Sequence, residues 1–412
     1  MFDSLTTQQS KLYQLIIRIN DLINKQVSTI VKSQEFKLLW ATWYGLFYLA
    51  SDANEGQAVI RILNMSWPEL ITDITMKSHK NSRLYHLLHG RELDSHGGEP
   101  FGLISVNYNL SIPDQPLAEK VISSMADLGL EALCPFLFDL DETWLTPQNE
   151  ILAYSKARLD RFYENDSMMK FRRLRTKQSS RFIGIVWPGI YITPSNFESW
   201  DRVPHQRPVI GGSIALLACV LREYNLFGWF SGLQAWGNET PGGAILPPAS
   251  SGGPEPWLVL TEALEEQYDS LGIIPLATTW YEHYPAFFSQ TMLYFGQDQY
   301  MKTVTLCCML MVCRIGHYLK VILRKYIGVT KSASECQWEL NSWLNQYCGG
   351  ASVKTREYLS KYPLQRARVE ISPSLEEVGH YKATVTIQPS LPPNVVTGEI
   401  VIHISYKQDR DD

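Results

Sequence analysis

The sequence is short of charge for its size. Asp, Glu, Lys and Arg make up 19% of its 412 residues, below the quarter usual in soluble domains. The balance of 37 basic and 42 acidic residues gives a net charge of −5, which argues against nucleic-acid binding because that needs many cations to displace counterions. A hydrophobic share of 45% excludes a disordered chain. Few charges together with 12 Trp and 21 Tyr predict extensive protein contacts.

The sequence also lacks a membrane span and a secretion signal. Its most apolar run, residues 304–313, is ten residues long, whereas a transmembrane helix needs about 20. Met1 and Phe2 are followed by Asp3 and polar residues, without a basic segment ahead of an apolar core. We therefore expect no membrane insertion and a cytoplasmic location.

Motifs for cofactors, metals and catalysis are missing as well. The phosphate-binding loop, the dinucleotide fingerprint, the zinc-protease helix motif and the nucleophile elbow do not occur. No two of the seven cysteines form a C-x-x-C pair, and most lie in apolar stretches, as reduced core residues of a cytosolic protein do. The sequence therefore offers no motif that points to a cofactor or to catalysis.

Histidines are the nearest approach to a metal site. Four of them follow one another at spacings of seven, three and seven residues: His79, His86, His89 and His96. The first three would share a stripe of a helix predicted over residues 66–88. Because no carboxylate or cysteine joins them at ligand spacing, we favour solvated or capping histidines over a metal site. His317 lies one turn from Cys313 in an apolar helix, where core packing is favoured over a catalytic dyad.

Strand and helix patterns alternate along most of the chain. Apolar spacing predicts helices over residues 8–32, 35–49, 66–88, 116–130, 150–172 and 210–224. Short β-branched or buried runs predict strands over residues 58–64, 103–108, 133–138, 181–187 and 226–233. The alternation predicts an α/β fold, a mixed sheet with flanking helices.

The pattern of predicted secondary structure changes towards the C-terminus. Long helices are predicted within residues 301–347, and a β segment over 366–406 contains strands at 366–371, 381–388 and 399–406. We therefore predict an N-terminal α/β region over residues 8–295 and a C-terminal region over 296–407.

One basic run stands out in this acid-leaning chain. It contains Arg172, Arg173, Arg175, Lys177 and Arg181. Two interpretations have equal weight: a solvated helix end, or a contact with an acidic partner.

Several segments, in this order, resemble one known family. They are EFKLLWATWYGL (35–46), IRILN (60–64), GGEPFGL (97–103), SRFIG (180–184), LGIIP (271–275), RIGHYLKVI (314–322) and YPLQRARVE (362–370). Each is weak alone, but together they resemble the large sheath subunit of the bacterial type VI secretion system, the TssC/VipB family. The resemblance covers residues 10–406.

The resemblance implies a structural protein with a contractile tail-sheath-like fold in the bacterial cytoplasm. Members of this family pair with a small sheath subunit (TssB/VipA-like) and with other copies of themselves around an Hcp tube. Together the subunits form a sheath that is attached to a baseplate, and contraction of this sheath drives effectors out of the cell. A ClpV-type ATPase recycles contracted sheaths, mainly through the small subunit.

The resemblance also implies contact residues. The C-terminal strand available for pairing between chains would be Glu399, Ile400, Val401, Ile402, His403, Ile404, Ser405 and Tyr406. Its alternation supports a strand, and an exposed edge strand is a template for another chain; the alternative is pairing only within its own subunit. The cations of the 314–325 segment either serve the subunit fold or face the tube: Arg314, Lys320, Arg324 and Lys325.

Two departures from the family pattern motivate an alternative. The first helix begins near Gln8, where the family usually has an arm of several dozen residues, and the basic run 172–177 replaces residues that are usually acidic. The alternative is a sheath-like accessory protein that does not polymerise and docks at the baseplate or the sheath end.

Overall fold

The computed structural model describes most of the chain. The described residues are 2–53, 58–75, 78–111, 117–141, 155–191, 208–233, 242–246, 255–278, 284–296, 303–325, 332–350, 355–373, 380–391 and 398–407.

The α-helices within these residues are α1 Phe2–Lys32, α2 Gln34–Ala53, α3 Trp67–Thr75, α4 Arg83–Tyr85, α5 Ala118–Ala132, α6 Lys156–Glu164, α7 Met169–Arg175, α8 Gly212–Phe227, α9 Glu262–Ser270, α10 Leu306–Arg324, α11 Ala333–Asn345 and α12 Arg356–Lys361. The strands are β1 Ile104–Leu110, β2 Phe136–Leu140, β3 Ile183–Trp187, β4 Ile190–Tyr191, β5 Glu255–Pro256, β6 Ile274–Pro275, β7 Leu364–Pro373, β8 His380–Pro389 and β9 Ile400–Lys407.

A parallel sheet forms the centre of the N-terminal region. Its order is β1-β2-β3-β6, and every neighbouring pair is parallel. All residues of β2 and β3 are buried, because helices cover both faces. Phe136 and Phe138 pack in the cluster that contains α5, whereas Leu137 packs in the cluster that contains α8. The predicted α/β fold is confirmed, and its antiparallel strands lie in separate sheets.

The N-terminal helices agree with the sequence pattern, but the strand predicted after them is wrong. Helices α1 and α2 cover the predicted ranges 8–32 and 35–49. Residues 58–64 have no regular secondary structure. A strand needs a partner to complete its hydrogen bonds, and no strand of the described chain pairs with this segment. It is instead tied down by Arg61, which lies 3.3 Å from Glu92.

The helix predicted over residues 66–88 is broken. α3 begins as expected, with the Ser66 N–H donating to the Glu69 carboxylate at 2.7 Å, and ends at Thr75. A new helix start follows, because the Asp73 carboxylate accepts hydrogen bonds from the N–H groups of Arg83 and Leu84 at 2.8 and 3.0 Å. After α4 the chain continues as a π-helix, His86–Leu93. The break removes the predicted histidine stripe.

Two further predictions need correction. The helix predicted over 150–172 is divided into α6 and α7 by a 3-10 turn at Asp166–Met168, and residues 150–154 lie outside the described residues. The strand predicted over 226–233 is wrong because α8 extends to Phe227. Gly228 then takes a left-handed conformation (φ 71°), which ends the helix and turns the chain.

The C-terminal part holds the long helices α10 and α11 and an antiparallel sheet of order β7-β8-β9. These elements fall within the predicted ranges 301–347 and 366–406, to within a residue or two. α10 is long and apolar enough to cross a membrane by composition, yet 67% of that stretch is buried inside the protein. It is a core helix that packs against β8 and β9. Its core is continuous with that of α8, and the predicted division at residue 295 stays a prediction.

Candidate interaction surfaces

The outer edge of β7 is covered by a helix of the same chain. The Asn341 side chain on α11 donates to the Val369 carbonyl and accepts from the Val369 N–H, both at 2.9 Å. One turn earlier, Gln337 Oε1 accepts from the Ile371 N–H at 3.0 Å. Two side-chain amides thus take the place of a neighbouring strand, and this edge is closed to another chain.

The opposite edge of the sheet is β9. Ile400, Ile402 and Ile404 are buried beside α10, whereas His403 is exposed. The guanidinium of Arg181 donates to the Val401 carbonyl at 3.0 Å. This carbonyl therefore points away from β8.

Because the backbone carbonyl of Val401 points outward, the directions of the backbone groups in the rest of β9 follow. In an antiparallel ladder the backbone groups of alternate residues point to the same side, so the N–H and C=O groups of His403 and Ser405 also point outward. Consistent with a non-hydrogen-bonded pair, His403 faces Thr384, with 3.3 Å between Nδ1 and Oγ1. The structure thus places the predicted interchain strand, residues 399–406, at a sheet edge. Its pairing with another chain stays a prediction.

The basic run is mostly used inside the chain. Arg175 is only 5% exposed, and its guanidinium donates to the Leu293 and Ser270 carbonyls at 3.2 and 2.9 Å and to the Tyr163 hydroxyl at 2.8 Å. The sequence had suggested a surface position for it. Burial follows because three elements converge on this group.

Arg181 is also 5% exposed, whereas Arg172, Arg173 and Lys177 lie nearer the surface. Lys177 Nζ lies 2.6 Å from Asp127 Oδ2, and Arg172 donates to the carbonyls of Tyr163 and Asn165. Arg173 is exposed. It is the member of this run that a partner can reach most easily.

The cations of α10 also include some that contact the rest of the chain and one that is exposed. The Arg314 guanidinium lies 4.5 Å from the Trp229 ring centre and 4.9 Å from that of Tyr224, and it donates to the Gly228 carbonyl at the end of α8. Such stacking anchors the turn after α8 to α10.

The next two cations join α10 to the end of the π-helix. Lys320 Nζ lies 2.5 Å from Asp94 Oδ1, and Arg324 Nη1 donates to the Ser95 carbonyl at 2.8 Å. These three α10 cations make contacts within the subunit, and their contact with a tube stays a prediction. Lys325 is exposed, and its contact with a tube stays a prediction.

The rings of His79, His86 and His89 lie around Tyr85, and two of these histidines also face a carboxylate. His79 Nε2 lies 3.0 Å from Glu131 Oε1, and His89 Nδ1 lies 3.1 Å from Asp94 Oδ2. Within the described part of the chain, no three His, Cys, Asp or Glu side chains are grouped closely enough to hold a metal ion. His317 donates to the Ala132 carbonyl at 3.1 Å, and burial lowers its pKa to about 4. Burial raises the pKa of the Cys313 thiol.

The carboxyl ends of the parallel strands, where α/β proteins commonly bind ligands, hold a carboxylate of the chain itself. Asp139 on β2 is 3% exposed. Its oxygens accept hydrogen bonds from the N–H and the hydroxyl of Ser213, both at 2.7 Å, at the start of α8. A Cβ at Gly211 would overlap this carboxylate. The cavity that remains is about 40 Å³.

Asp139 gives the subunit a measurable pH dependence. Burial raises its pKa to about 6, against the opposing effect of the Ser213 hydrogen bonds, whereas an unfolded Asp titrates near 3.9. Between about pH 4 and 6 the folded state therefore holds more protons than the unfolded chain. The free energy of unfolding must fall as pH rises through this window, by roughly 2–3 kcal/mol from this group.

We expect Asp139→Asn to remove this slope and to be at least as stable as the wild type above pH 7. Urea unfolding at several pH values between 4.5 and 7.5 measures the difference. Asp166→Asn, an exposed carboxyl near α7, serves as the control and should keep the wild-type slope. Parallel curves for Asp139→Asn and wild type would contradict the assignment.

Among the described residues, α1 and α2 carry more than half of the exposed large apolar side chains, and residue motifs did not reveal them. On α2, Leu39, Trp43 and Phe47 are 53–66% exposed, while Tyr48 and Leu49 face the core. Between residues 12 and 30 of α1, the Leu, Ile and Val side chains are 44–60% exposed. The early signal was compositional: a chain with 19% charge must leave apolar surface outside its core.

Comparison with known proteins gives one consistent result. Residues 13–294 match the family described as the EvpB/VC_A0108 tail sheath N-terminal domain, and residues 297–403 match the tail sheath gpW/gp25-like domain of the same family. The type VI secretion system sheath protein TssC1 of Pseudomonas aeruginosa is 24% identical over 410 residues, covering 91% of this chain and 82% of that protein.

Three solved structures show a weaker similarity. One comes from the cryo-EM structure of the anti-feeding prophage baseplate (TM-score 0.39, 10% identity, 71% of this chain and 66% of that one). The others are sheath tail proteins of Desulfitobacterium hafniense (TM-score 0.32) and Listeria innocua (TM-score 0.36), each 10% identical over 71% of this chain and 61% of theirs. The chain thus spans less than two thirds of these structures. With the two family matches covering nearly all of the sequence, the chain belongs to the VipB/EvpB tail sheath family of contractile sheath subunits.

Proposed function

We propose that this chain is the large subunit of a type VI secretion contractile sheath in the bacterial cytoplasm. It pairs with a small, TssB/VipA-like subunit, and the pairs surround an Hcp tube on a baseplate. Contraction of the sleeve drives effectors outward, and a ClpV-type ATPase returns contracted sheaths to use through the small subunit. The role is structural rather than enzymatic.

The observation that carries this proposal is the asymmetry of the C-terminal sheet. One edge is closed by Asn341 and Gln337. On the other edge the Val401 carbonyl bonds to Arg181, and the backbone groups of His403 and Ser405 point outward beyond it. Within the described C-terminal sheet, a strand from a neighbouring chain can therefore add at β9 but not at β7. When β9 receives a different segment of the neighbouring chain the contact is heterologous, and repeated heterologous contacts generate rings or helical assemblies.

Co-expression with the small sheath subunit of the same genome tests the proposal. We expect a co-purifying complex and, by electron microscopy, hollow tubules. The control is the small subunit expressed alone, which should form none. A large subunit that stays monomeric beside a soluble, folded small subunit would contradict the proposal. A stable complex without tubules, found only at sheath ends, would favour the accessory role.

A further inference from the structure

Residues 11–32 of α1 form a helix with few contacts to the rest of the chain. Nearly all of its side chains are exposed. With Leu12 assigned to position a of a heptad, the apolar residues at positions a, d and e are Leu12, Leu15, Ile16, Ile19, Leu22, Ile23 and Ile30. This is the seam of a helix that packs on another helix. Gln26 and Thr29 take the third a and d positions, so the apolar a and d residues lie in the first two heptads and Ile30, at e, continues the stripe. A polar residue at an a position fixes register.

A row of cations borders this stripe. Every seventh residue is basic: Lys11, Arg18, Lys25 and Lys32. All four are exposed, and none forms an ion pair with the described residues. They occupy position g, beside Leu15 and Leu22 at d and beside Thr29 at the third d position. Asp21 is the one acidic residue between residues 11 and 32. Charges at g positions pair across the seam with the facing helix.

We propose that α1 binds an acidic amphipathic helix from another protein chain, with Leu or Ile facing the stripe and Glu or Asp facing the cation row. The cation row from Lys11 to Lys32 spans about 32 Å at 1.5 Å per residue. It therefore calls for a partner helix of about three heptads. Burying the stripe covers apolar surface that is otherwise unusual on a monomer.

A second copy of α1 is a poor partner. In an antiparallel pair the g position faces g, so Lys and Arg would face Lys and Arg. In a parallel pair g faces e, where this helix has Ile16, Ile23 and Ile30. Neither arrangement offers the cations an acidic group.

A lipid surface is also disfavoured. Membrane-surface helices carry cations across the polar face and Trp or Phe among the apolar residues. Here the cations are confined to one flank, the other flank has Tyr13, Asn20 and Val27, and the seam lacks Trp and Phe. An acidic protein helix accounts for both the one-sided charge and the aliphatic seam.

Reciprocal charge exchange tests the proposal on the full chain. The probes are two capped, labelled peptides of about 28 residues with Ile at a and Leu at d, one with Glu and one with Lys at e and g. By fluorescence anisotropy we expect the Glu peptide to bind at least about tenfold more tightly than the Lys peptide. Raising the salt concentration should reduce the difference.

Arg18→Glu/Lys25→Glu should reverse this preference. Arg83→Glu/Lys170→Glu, which reverses two exposed cations elsewhere, should keep it. Circular dichroism of each variant verifies folding.

Equal binding of the two peptides, or a preference unchanged by Arg18→Glu/Lys25→Glu, would overturn the proposal. So would an α1-dependent dimer in sedimentation equilibrium, or binding to phosphatidylglycerol vesicles that Arg18→Glu/Lys25→Glu abolishes while neither peptide binds. The inference concerns α1 and goes beyond the sheath assignment, which rests on β9. Tubule formation with the small subunit remains a separate readout, so the two proposals fail independently.

Discussion

His403→Pro is expected to abolish incorporation into a sheath while leaving the subunit folded. The N–H of His403 points away from β8, because it shares the direction of the Val401 carbonyl that Arg181 contacts from outside the ladder. Proline removes that N–H without removing a bond to β8, which is the position where an edge strand tolerates proline. A strand added at β9 would lose a central hydrogen bond and meet the proline ring. Co-expression with the small subunit and counting of tubules should show at least about a tenfold loss.

The matched control is His403→Val. It also removes the imidazole and its contact with Thr384, but it keeps the N–H and suits a strand. It should assemble like the wild type, and both variants should unfold at similar urea concentrations. Ile402→Pro would not be informative, because Ile402 is fully buried and pairs with Val385 of β8. Normal tubules with His403→Pro would show that β9 does not join chains.

The sequence predicted those helices and strands whose apolar spacing can be recognised within the segment itself. The alternation of Ile400, Ile402 and Ile404 places a strand at the C-terminus because one face must be buried. In the same way, the 3–4 spacing of α1 predicts a helix. Residues 58–64 show the limit of such patterns: β-branched composition is present, but the described chain offers no neighbouring strand.

The sequence did not predict contacts between residues that are far apart along the chain. The carbonyls that Arg175 contacts lie 95 and 118 residues further along the chain. Asn341 closes β7 from 28 residues away. No spacing rule connects such partners. A basic run therefore looked like a surface patch, although one of its members is the centre of a buried network.

That network leads to the largest expected effect on stability. Arg175→Met keeps much of the apolar stem but removes the guanidinium. The Leu293 and Ser270 carbonyls and the Tyr163 hydroxyl each lose a charged donor. A buried polar group left without its partner costs about 1–3 kcal/mol. Stacking on the Phe295 ring, 5.1 Å away, is lost as well. We expect a loss of about 3–5 kcal/mol in the free energy of unfolding, measured by urea denaturation.

Arg173→Met is the matched control, since it removes the same group from an exposed position two residues away on α7. It should change the free energy of unfolding by no more than about 0.5 kcal/mol. Arg175→Lys should lower the free energy of unfolding by an intermediate amount. Its ammonium keeps the charge but cannot place donors at all three positions that the planar guanidinium reaches. The order Arg173→Met, Arg175→Lys, Arg175→Met therefore measures the geometry of the guanidinium apart from its charge. Equal, small effects for Arg173→Met and Arg175→Met would place Arg175 at the surface, free for the partner contact that the sequence suggested.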